Sequence, residues 1–555
     1  MLFVILFFFL LEFLKGQPQA AILYILCAAS SLACLVCVIK LLPNQHFITK
    51  REFVFYGIVI IPVLLSCFSP YDNSLYVHST VLLICSFWFF KYIFRWYKLE
   101  FLLPIVILGI LLETIYGIVI YIKEGSILGL SGHFDNPAGY VALLNSTLPY
   151  FVLFLQKKYK PAGIFLWSVL FLSIIFSKSR AGIITAIIIS FALYFPYFSR
   201  WYQLLTKTVR VGLITATSLL AIIVLGMLYL AKVDSANGRI LIWTNCVAMI
   251  QDEPLMGHGA NSFLSKYMYY QADFFEKEKD IKRVYLADNV RYPFNEYLGF
   301  IIQYGWIAFL IVIILVVIFF KGNSIRTLEQ RMAYLSLLSI ALLSLFSYPL
   351  YYSIILIIIA LDISILISCD KKIIIRPATA YLVLIFILTG TLLLAFKAHK
   401  NFKLYNELNS LKESLISEKI NSYQKLYEKG LCIDPYFCYN YAAILNENKL
   451  YSASLKLIKT SSMADSDHAI LIANNYFNLS DYKEAEKYTD LAINMCPNRF
   501  IPLYYKFRIL VETNRIEEAR SIAREILEKS IKIESNDIIM IKLDLERFMI
   551  KESLK

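Results

Sequence analysis

Residues 211–231 read VGLITATSLLAIIVLGMLYLA and contain no charged side chain. An uncharged apolar run of about 20 residues has the length that crosses a bilayer as a helix. A shorter first run, Met1–Leu14, carries Glu12, so the predicted count is 12 or 13 spans. The fold class predicted is therefore all-α, a polytopic membrane helical bundle. The full-length spans are predicted at residues 19–41, 52–69, 75–96, 100–122, 137–155, 161–177, 181–199, 211–231, 294–320, 332–348, 350–369 and 377–396.

The composition of the 555 residues agrees with this interpretation. Hydrophobic residues make up 59% and charged residues 17% of the chain, against roughly 45–50% and 25% in soluble domains. This excess excludes intrinsic disorder, a collagen-like fibre and a purely soluble enzyme. The net charge of +13 does not require a nucleic-acid partner, because membrane proteins concentrate Lys and Arg in their cytoplasmic loops.

Basic residues alternate from loop to loop, which predicts the orientation of the chain. One set of loops carries 18 Lys and Arg residues, whereas the opposite short loops carry only four. Under the positive-inside rule the richer set is cytoplasmic. Parity then places the loops 123–136 and 232–293, and the chain after residue 397, outside the cytoplasm. The richer set lies within 40–51, 91–98, 157–160, 200–210, 321–331 and 371–376, and the four others are Lys15, Lys123, Lys178 and Arg180.

After about residue 400 the long apolar runs give way to amphipathic helical pairs. Ala453, Ala485 and Ala519 lie in similar segments at nearly equal intervals along the chain. A period of about 34 residues, with a small residue where helices cross, resembles tetratricopeptide repeats, each a helix–turn–helix. An unrelated helical bundle is the alternative. Repeat arrays of this kind present a concave surface, so we expect residues 397–555 to bind a protein partner, and residues 1–396 to form the membrane domain.

Four clusters of polar residues and glycines lie at the predicted outer edge of the membrane or in the long outer loop. Each has an ordinary structural explanation: a capped turn before Pro137, an arginine reaching lipid phosphates, a structural histidine, or an acidic residue complementing a helix dipole. Arginine at a membrane boundary is costly to desolvate unless an anion pairs with it, so the same clusters are candidate sites. The candidates are His133, Asn136, Ser179, Arg180, Arg239, His258, Arg291, Asn295 and Glu296.

Several kinds of site have no counterpart in these outer segments. They contain no His-x-x-x-His pair, no Cys-x-x-Cys pair and no two aspartates spaced one residue apart. The chain also has no Gly-rich loop ending in Gly-Lys-Ser/Thr and no nucleophile elbow. The sequence therefore predicts neither a metal site nor a cofactor, and it argues against ATP hydrolysis and serine-hydrolase chemistry.

In their order and spacing the four clusters resemble the O-antigen ligase/polymerase superfamily, over about residues 130–320. That superfamily includes O-antigen ligases, O-antigen polymerases and protein O-oligosaccharyltransferases, and a carboxy-terminal tetratricopeptide array also occurs in it. The matching elements are Gly132–Pro137, Ser179 with Arg180, Gly238 with Arg239 and Trp243, the turn Pro254–Gly259, and Asn295–Leu298 followed by Gly305.

The resemblance implies a metal-independent GT-C type glycosyltransferase in the bacterial inner membrane, with its carboxy-terminal domain in the periplasm. Such an enzyme takes a glycan from undecaprenyl diphosphate at the outer leaflet and passes it to an acceptor hydroxyl, as in lipopolysaccharide biosynthesis. Arg180 and Arg239 occupy the positions that hold the donor diphosphate, and Arg291 is a third candidate. Guanidinium groups suit this role because they stabilise the charge that develops on a departing diphosphate.

One position departs from the family pattern. Phe294 stands where similar ligases often have a histidine that is proposed to assist the acceptor hydroxyl. The proton must then go to another group, and we rank Glu296 first and His258 second, ahead of His133 and Asp288. Alternatively, no strong base is used, because departure of the diphosphate runs ahead of proton loss.

The sequence does not determine the identity of the acceptor. Lipid A core, a growing polysaccharide and protein Ser/Thr are the alternatives, and a repeat domain outside the membrane favours a protein partner. A transporter or channel with a docking domain is an alternative of a different class. The membrane half shows no internal duplication, and its polar groups cluster at the outer boundary, which favours interfacial chemistry over passage.

Overall fold

The computed structural model shows a predominantly helical chain. The predicted segments 1–14, 19–41 and 377–396 lie outside the described residues, apart from Leu26, Ser30 and Phe396. The structure describes residues 47–553, with gaps at 70–73, 97–98, 125–128, 159, 231, 279, 322–324, 326, 369, 371–372, 375–395, 397–399, 401–402, 412–415 and 533.

Every predicted span that falls in the described region coincides with a helix. Within the described residues, five helices are long and apolar enough to cross a membrane, over Val77–Phe94, Val106–Lys123, Arg180–Leu204, Lys207–Leu230 and Glu296–Phe320. Shorter apolar helices cover Pro161–Phe176 and Ser353–Ile367. The helices of this part are α1 (Lys50–Ser66), α2 (Ser74–Trp96), α3 (Leu99–Glu124), α4 (Pro137–Lys158), α5 (Lys160–Phe176), α6 (Arg180–Leu204), α7 (Lys207–Leu230), α8 (Val233–Asp252), α9 (Ser262–Lys277), α10 (Ile281–Leu286), α11 (Glu296–Phe320), α12 (Leu328–Leu343) and α13 (Ser353–Ile367).

The two ends of the bundle can be told apart by their contacts. At one end, strand β1 (Phe47–Ile48) pairs antiparallel with strand β2 (Ile373–Ile374), and Arg51 Nε lies 2.6 Å from Asp370 Oδ2. Helix α1 leads from this end to the opposite one, where Ser69 Oγ donates to Ala260 O at 2.8 Å. The long loop 232–293 therefore lies at the end opposite to the β1–β2 pair.

The long loop is itself helical. Its first helix, α8, begins at Val233, directly after the membrane helix α7. Helix α8 ends at Asp252, two residues before Pro254, whose fixed φ and missing N–H disfavour a helix interior. Helices α9 and α10 complete the loop before the chain re-enters the bundle at Glu296.

The tail repeats one helix–turn–helix unit. Lys449, Ser480 and Asn514 all adopt the left-handed conformation, and each ends the first helix of a unit. In each unit the next backbone N–H donates to the carbonyl five residues earlier, at 2.8–2.9 Å, which is a Schellman helix ending. The tail helices are α14 (Ile416–Lys429), α15 (Pro435–Glu447), α16 (Tyr451–Ile458), α17 (Ser466–Asn478), α18 (Tyr482–Met495), α19 (Phe500–Glu512), α20 (Ile516–Glu528) and α21 (Asn536–Ser553).

The predicted repeat alignment is wrong by one position in its first unit. Ala485 and Ala519 are fully buried where helices cross, but Ala453 is exposed. The buried position in the first unit belongs to Ser454, whose Oγ donates to Ala442 O at 2.7 Å. The interval from Lys449 to Ser480 is shorter than the one from Ser480 to Asn514, so aligning alanine with alanine shifted the register by one position.

The tail packs directly on the long loop. Helix α18 contacts α9, and Ala492, Met495 and Cys496 share one apolar cluster with residues of α8, α9 and α11. Gln271 Nε2 also donates to Met495 O at 2.6 Å. Loop and tail therefore lie on the same side of the membrane.

Candidate functional site

Five segments meet at the end of the bundle that carries the long loop. Backbone hydrogen bonds join two pairs of them: Leu130 N donates to Phe176 O at 3.2 Å, and Glu296 N donates to Ser344 O at 2.9 Å. Side chains join the others, as described below. We call this end the site face, and it comprises residues 129–136, 176–180, 232–239, 288–296 and 344–352.

The turn before α4 is built as predicted. Asn136 Oδ1 accepts from Ala138 N at 2.7 Å, which caps the helix, and Pro137 is its first residue. Asn136 Nδ2 donates to Tyr348 OH at 2.5 Å, and Tyr352 OH donates to Asp135 Oδ1 at 3.0 Å. The turn is thereby tied to the 344–352 segment.

His133 has a buried partner that the sequence reasoning missed. Glu113, in α3, is 5% exposed, and its Oε2 lies 2.6 Å from His133 Nδ1. Its Oε1 accepts from His133 N at 2.9 Å. The signal available in the sequence was a single carboxylate in the middle of an apolar span, which is rare unless it is paired.

Ser179 and Arg180 begin helix α6. Ser179 is the N-cap residue, and its Oγ accepts from Gly182 N at 3.3 Å. Arg180 is half-buried, and its Nη1 donates to Leu228 O, near the end of α7, at 3.3 Å. The guanidinium therefore lies between two helix ends at the site face rather than extending freely into the surroundings.

Arg239 lies close to Arg180, and the two are joined by lysines. Burial first and the positive charge of Arg180 second lower the pKa of Arg239. Burial first, then Arg180 and Lys178, lower the pKa of Lys232, and Arg239 acts in the same direction. Lys232 Nζ donates to Lys178 O at 3.0 Å. We call Arg180, Arg239, Lys232 and Lys178 the cation cluster. Neighbouring positive charges repel each other, so the cluster is suited to binding an anion.

Phe294 forms the floor next to this cluster. The Arg239 guanidinium lies over the Phe294 ring, 5.6 Å from its centroid, and Phe294 has a positive φ of 51°. Phe294 also packs edge-on against Tyr348, at 5.5 Å between ring centroids. The ring of Phe294, which stands where similar ligases often have a histidine, thus supports Arg239 by a cation–π contact.

Asn295 and Glu296 anchor the amino-terminal end of α11. Asn295 Oδ1 accepts from Tyr297 N and Leu298 N, both at 3.0 Å, so Asn295 is a helix cap. Glu296 Oε1 accepts from Leu350 N at 2.9 Å. The carboxylate ranked first as a proton acceptor is therefore engaged with the 344–352 segment through one of its oxygens.

His258 stabilises the Pro254–Gly259 turn and its contact with α11. Its Nε2 lies 2.8 Å from Met249 O, and its Nδ1 lies 3.1 Å from Lys266 Nζ. His258 N donates to Ile302 O at 2.8 Å, so the turn that carries it packs against α11 next to the non-helical Gly305. Both ring nitrogens of His258 are engaged.

Arg291 lies at the rim of the site face, where the tail reaches it. Its guanidinium is 4.7 Å from the centroid of the Tyr436 ring, at the start of tail helix α15. Tyr292 stacks on Tyr348 at 4.2 Å and contacts Tyr351 at 5.1 Å. Next to this group is a cleft of about 330 Å³ whose lining includes Gly238, Leu241, Gln271, Asp288, Arg291 and Phe294.

The geometry therefore brings Arg180 and Arg239 together and leaves Arg291 at the rim. Lys178 and Lys232 lie near the two arginines and were not among the candidates, although Lys178 directly precedes Ser179 in the second cluster. Within the described part of the chain, no three His, Cys, Asp or Glu residues are grouped closely enough to hold a metal ion.

The apolar helices define a multi-pass membrane protein, and its cation cluster faces one side of the membrane. Residues 163–313 match the family model described as O-antigen ligase. This segment contains Arg180, Lys232, Arg239, Arg291 and Glu296, and it supports a membrane enzyme that transfers glycans, of the ligase or polymerase kind. No curated protein and no solved structure matches the chain.

Proposed function

We propose that the protein is an O-antigen-ligase-like glycosyltransferase of the bacterial inner membrane. It takes a glycan from undecaprenyl diphosphate at the periplasmic face and passes it to an acceptor hydroxyl. The observation that carries the proposal is the convergence of Arg180, Arg239 and Lys232 at the site face. All three lie inside the segment that matches the O-antigen ligase family.

The proposed role of the cation cluster is to hold the donor diphosphate. As the bond between the anomeric carbon and the phosphate oxygen breaks, negative charge grows on the leaving diphosphate. Fixed guanidinium groups stabilise this charge by charge-assisted hydrogen bonds. The half-buried Arg239 is held by Phe294 before the donor arrives, so little reorganisation is needed on binding. Arg291, at the rim, is assigned to a more distal contact.

The attacking acceptor hydroxyl must lose a proton. Glu296, the first residue of α11, is a candidate to accept this proton, and one of its oxygens is bonded to Leu350 N. His258 has both nitrogens engaged, so its proposed contribution is to hold the Pro254–Gly259 turn against α11.

The acceptor is proposed to be a polysaccharide, a lipid or a protein hydroxyl, and the tail bears on this choice. Tyr436 of the tail contacts Arg291 of the loop, so an acceptor held by the repeats would be delivered to the rim of the site. We propose that the helix–turn–helix units are tetratricopeptide repeats that hold the acceptor or an assembly factor. A polymerase or a protein O-oligosaccharyltransferase is therefore the second candidate function.

The test is glycan transfer in a deletion strain that carries the wild type, Arg180→Ala or Arg239→Ala. Loss of one charge-stabilising donor costs about 100-fold or more in rate, so the lipid-linked donor should accumulate in both variants. Arg200→Ala is the matched control, because Arg200 is exposed and lies in the same helix as Arg180, towards its opposite end. The product that disappears identifies the acceptor. Normal glycan transfer by both variants would contradict the proposal and favour the alternative of a transporter or channel.

A further inference from the structure

Glu113 is a carboxylate buried inside an apolar helix, and both of its oxygens are used by one residue. It lies within the apolar stretch Val106–Lys123 of α3 and is 5% exposed. Its Oε1 accepts the backbone N–H of His133 at 2.9 Å, and its Oε2 lies 2.6 Å from Nδ1 of the same residue. Against an ionised carboxylate, which only accepts hydrogen bonds, Nδ1 of His133 carries the proton of this contact.

This pairing fixes the state of the His133 ring. With the proton on Nδ1, the lone pair of the neutral ring is on Nε2. The ring is also stacked on Tyr116, with 3.6 Å between centroids, so it cannot turn away from Glu113. Nε2 is buried and has no hydrogen-bond partner in the described part of the chain. A carboxylate on one nitrogen and an open acceptor on the other is the arrangement of a general base.

The backbone around His133 is shaped to make this contact. Gly132 has a φ of 60°, and a Cβ at this position would lie 2.2 Å from Glu113 Oε1. Three residues from His133, Leu130 N donates to Phe176 O, four residues before Arg180. The His133 turn is therefore hydrogen-bonded to the end of α5, and the three residues 177–179 lead from there to Arg180.

We propose that His133, oriented by Glu113, accepts the proton of the acceptor hydroxyl. The inference rests on the proposed function. The acceptor oxygen forms the new bond to the anomeric carbon, its proton moves to His133 Nε2, and the bond to the phosphate oxygen breaks. The bonding electrons leave with the lipid diphosphate. His133 is the catalytic residue of this step, and Glu113 is a positioning residue.

The decisive variant is Glu113→Gln, because it keeps the shape of the contact and reverses the tautomer. The backbone N–H of His133 still needs an oxygen, so the amide oxygen must stay there and the NH₂ group must face Nδ1. Nδ1 then becomes an acceptor and the proton moves to Nε2, which can no longer accept one. We expect transfer to fall by about 100-fold or more in Glu113→Gln and in His133→Gln.

The measurement uses full-length protein in membrane vesicles of the deletion strain, which supply donor and acceptor. Donor binding is followed separately, as thermal stabilisation of the purified full chain by farnesyl diphosphate, a polyprenyl diphosphate probe. A purely structural role would lower this stabilisation together with the rate, whereas the proposed role lowers only the rate. Asp362→Asn is the matched carboxyl-to-amide control, since Asp362 is also fully buried in the bundle and bonds to Tyr150 rather than to the site face.

The outcomes separate this inference from the function on which it rests. Loss of transfer with retained farnesyl diphosphate binding in both variants supports it. Transfer at the wild-type rate in either variant, while Arg180→Ala fails to transfer, overturns the role of His133 and leaves the proposed function standing. Normal transfer by Arg180→Ala and Arg239→Ala overturns both.

Discussion

Arg499 in the tail binds Asp288 in the long loop, with 2.8 Å between Nη2 and Oδ1. The same guanidinium binds Asp467 through Nη1 at 2.6 Å, and Asn289 Nδ2 donates to Asp467 Oδ2 at 2.8 Å. The contact joins the tail to the long loop, which carries Arg291 and leads into α11 at Glu296. The position of the tail relative to the site face is therefore set by defined interactions, and these can be removed one at a time.

The apolar part of this interface should matter more than the ion pair. The side chains of Arg499 and Asp288 are 32% and 61% exposed, so Arg499→Ala should cost at most about 1 kcal/mol. Met495 is 1% exposed, and Met495→Asp should release the tail, because it buries a charge without a partner. Hydrogen exchange of α9 and α18 measures the difference, and slow exchange in Met495→Asp would contradict it.

The break in α11 should tolerate no side chain. Gly305 has a φ of 75°, and a Cβ there would lie 2.1 Å from Leu255 O. Gly305→Ala should therefore cost at least about 1–3 kcal/mol through backbone strain, with the clash in addition. Gly212 in α7 has no atom within 4 Å of an added Cβ, so Gly212→Ala should stabilise by about 0.5–1 kcal/mol. Thermal unfolding in detergent compares the two, and equal melting temperatures would refute the prediction.

The helices of the membrane half could be predicted because apolar length and charge are properties of neighbouring residues. The pairing of Glu113 with His133 could not, because the two lie in separate segments that only the folded bundle brings into contact. Lys232 was missed for a related reason, since its importance comes from nearby charges in other segments. The error at Ala453 arose because nothing local marks a unit that is shorter than its neighbours. The boundary near residue 397 and the periplasmic position of the tail stay predictions.

The corrected repeat register can be tested by two matched substitutions. Ala485 is fully buried where α17 and α18 cross, and Ala453 is exposed in the corresponding helix α16. Ala485→Leu should destabilise the tail by about 1–3 kcal/mol, because it overpacks a close helix contact. Ala453→Leu should change stability little. Denaturant unfolding followed by tail-specific proteolysis distinguishes the two variants. Similar losses of stability would support the alignment of Ala453 with Ala485 and Ala519 instead.

An anion should stabilise the protein through the cation cluster, and the effect should depend on pH with a definite sign. Burial and neighbouring positive charges lower the pKa of Lys232 and of Arg239, so the charged forms are disfavoured in the empty site. A bound diphosphate favours those charged forms and raises both pKa values again. Stabilisation by inorganic diphosphate, about 2.7 kcal/mol at a hundredfold excess over Kd, should therefore be larger at neutral pH and shrink as pH rises and Lys232 loses its proton.

Arg239→Gln should abolish the shift in melting temperature, whereas Arg210→Ala should keep it, because Arg210 lies at the other end of α7 and bonds to Gln203 O and Leu205 O. An equal shift in Arg239→Gln and the wild type, at matched ionic strength, would mean that the cluster is not where the diphosphate binds.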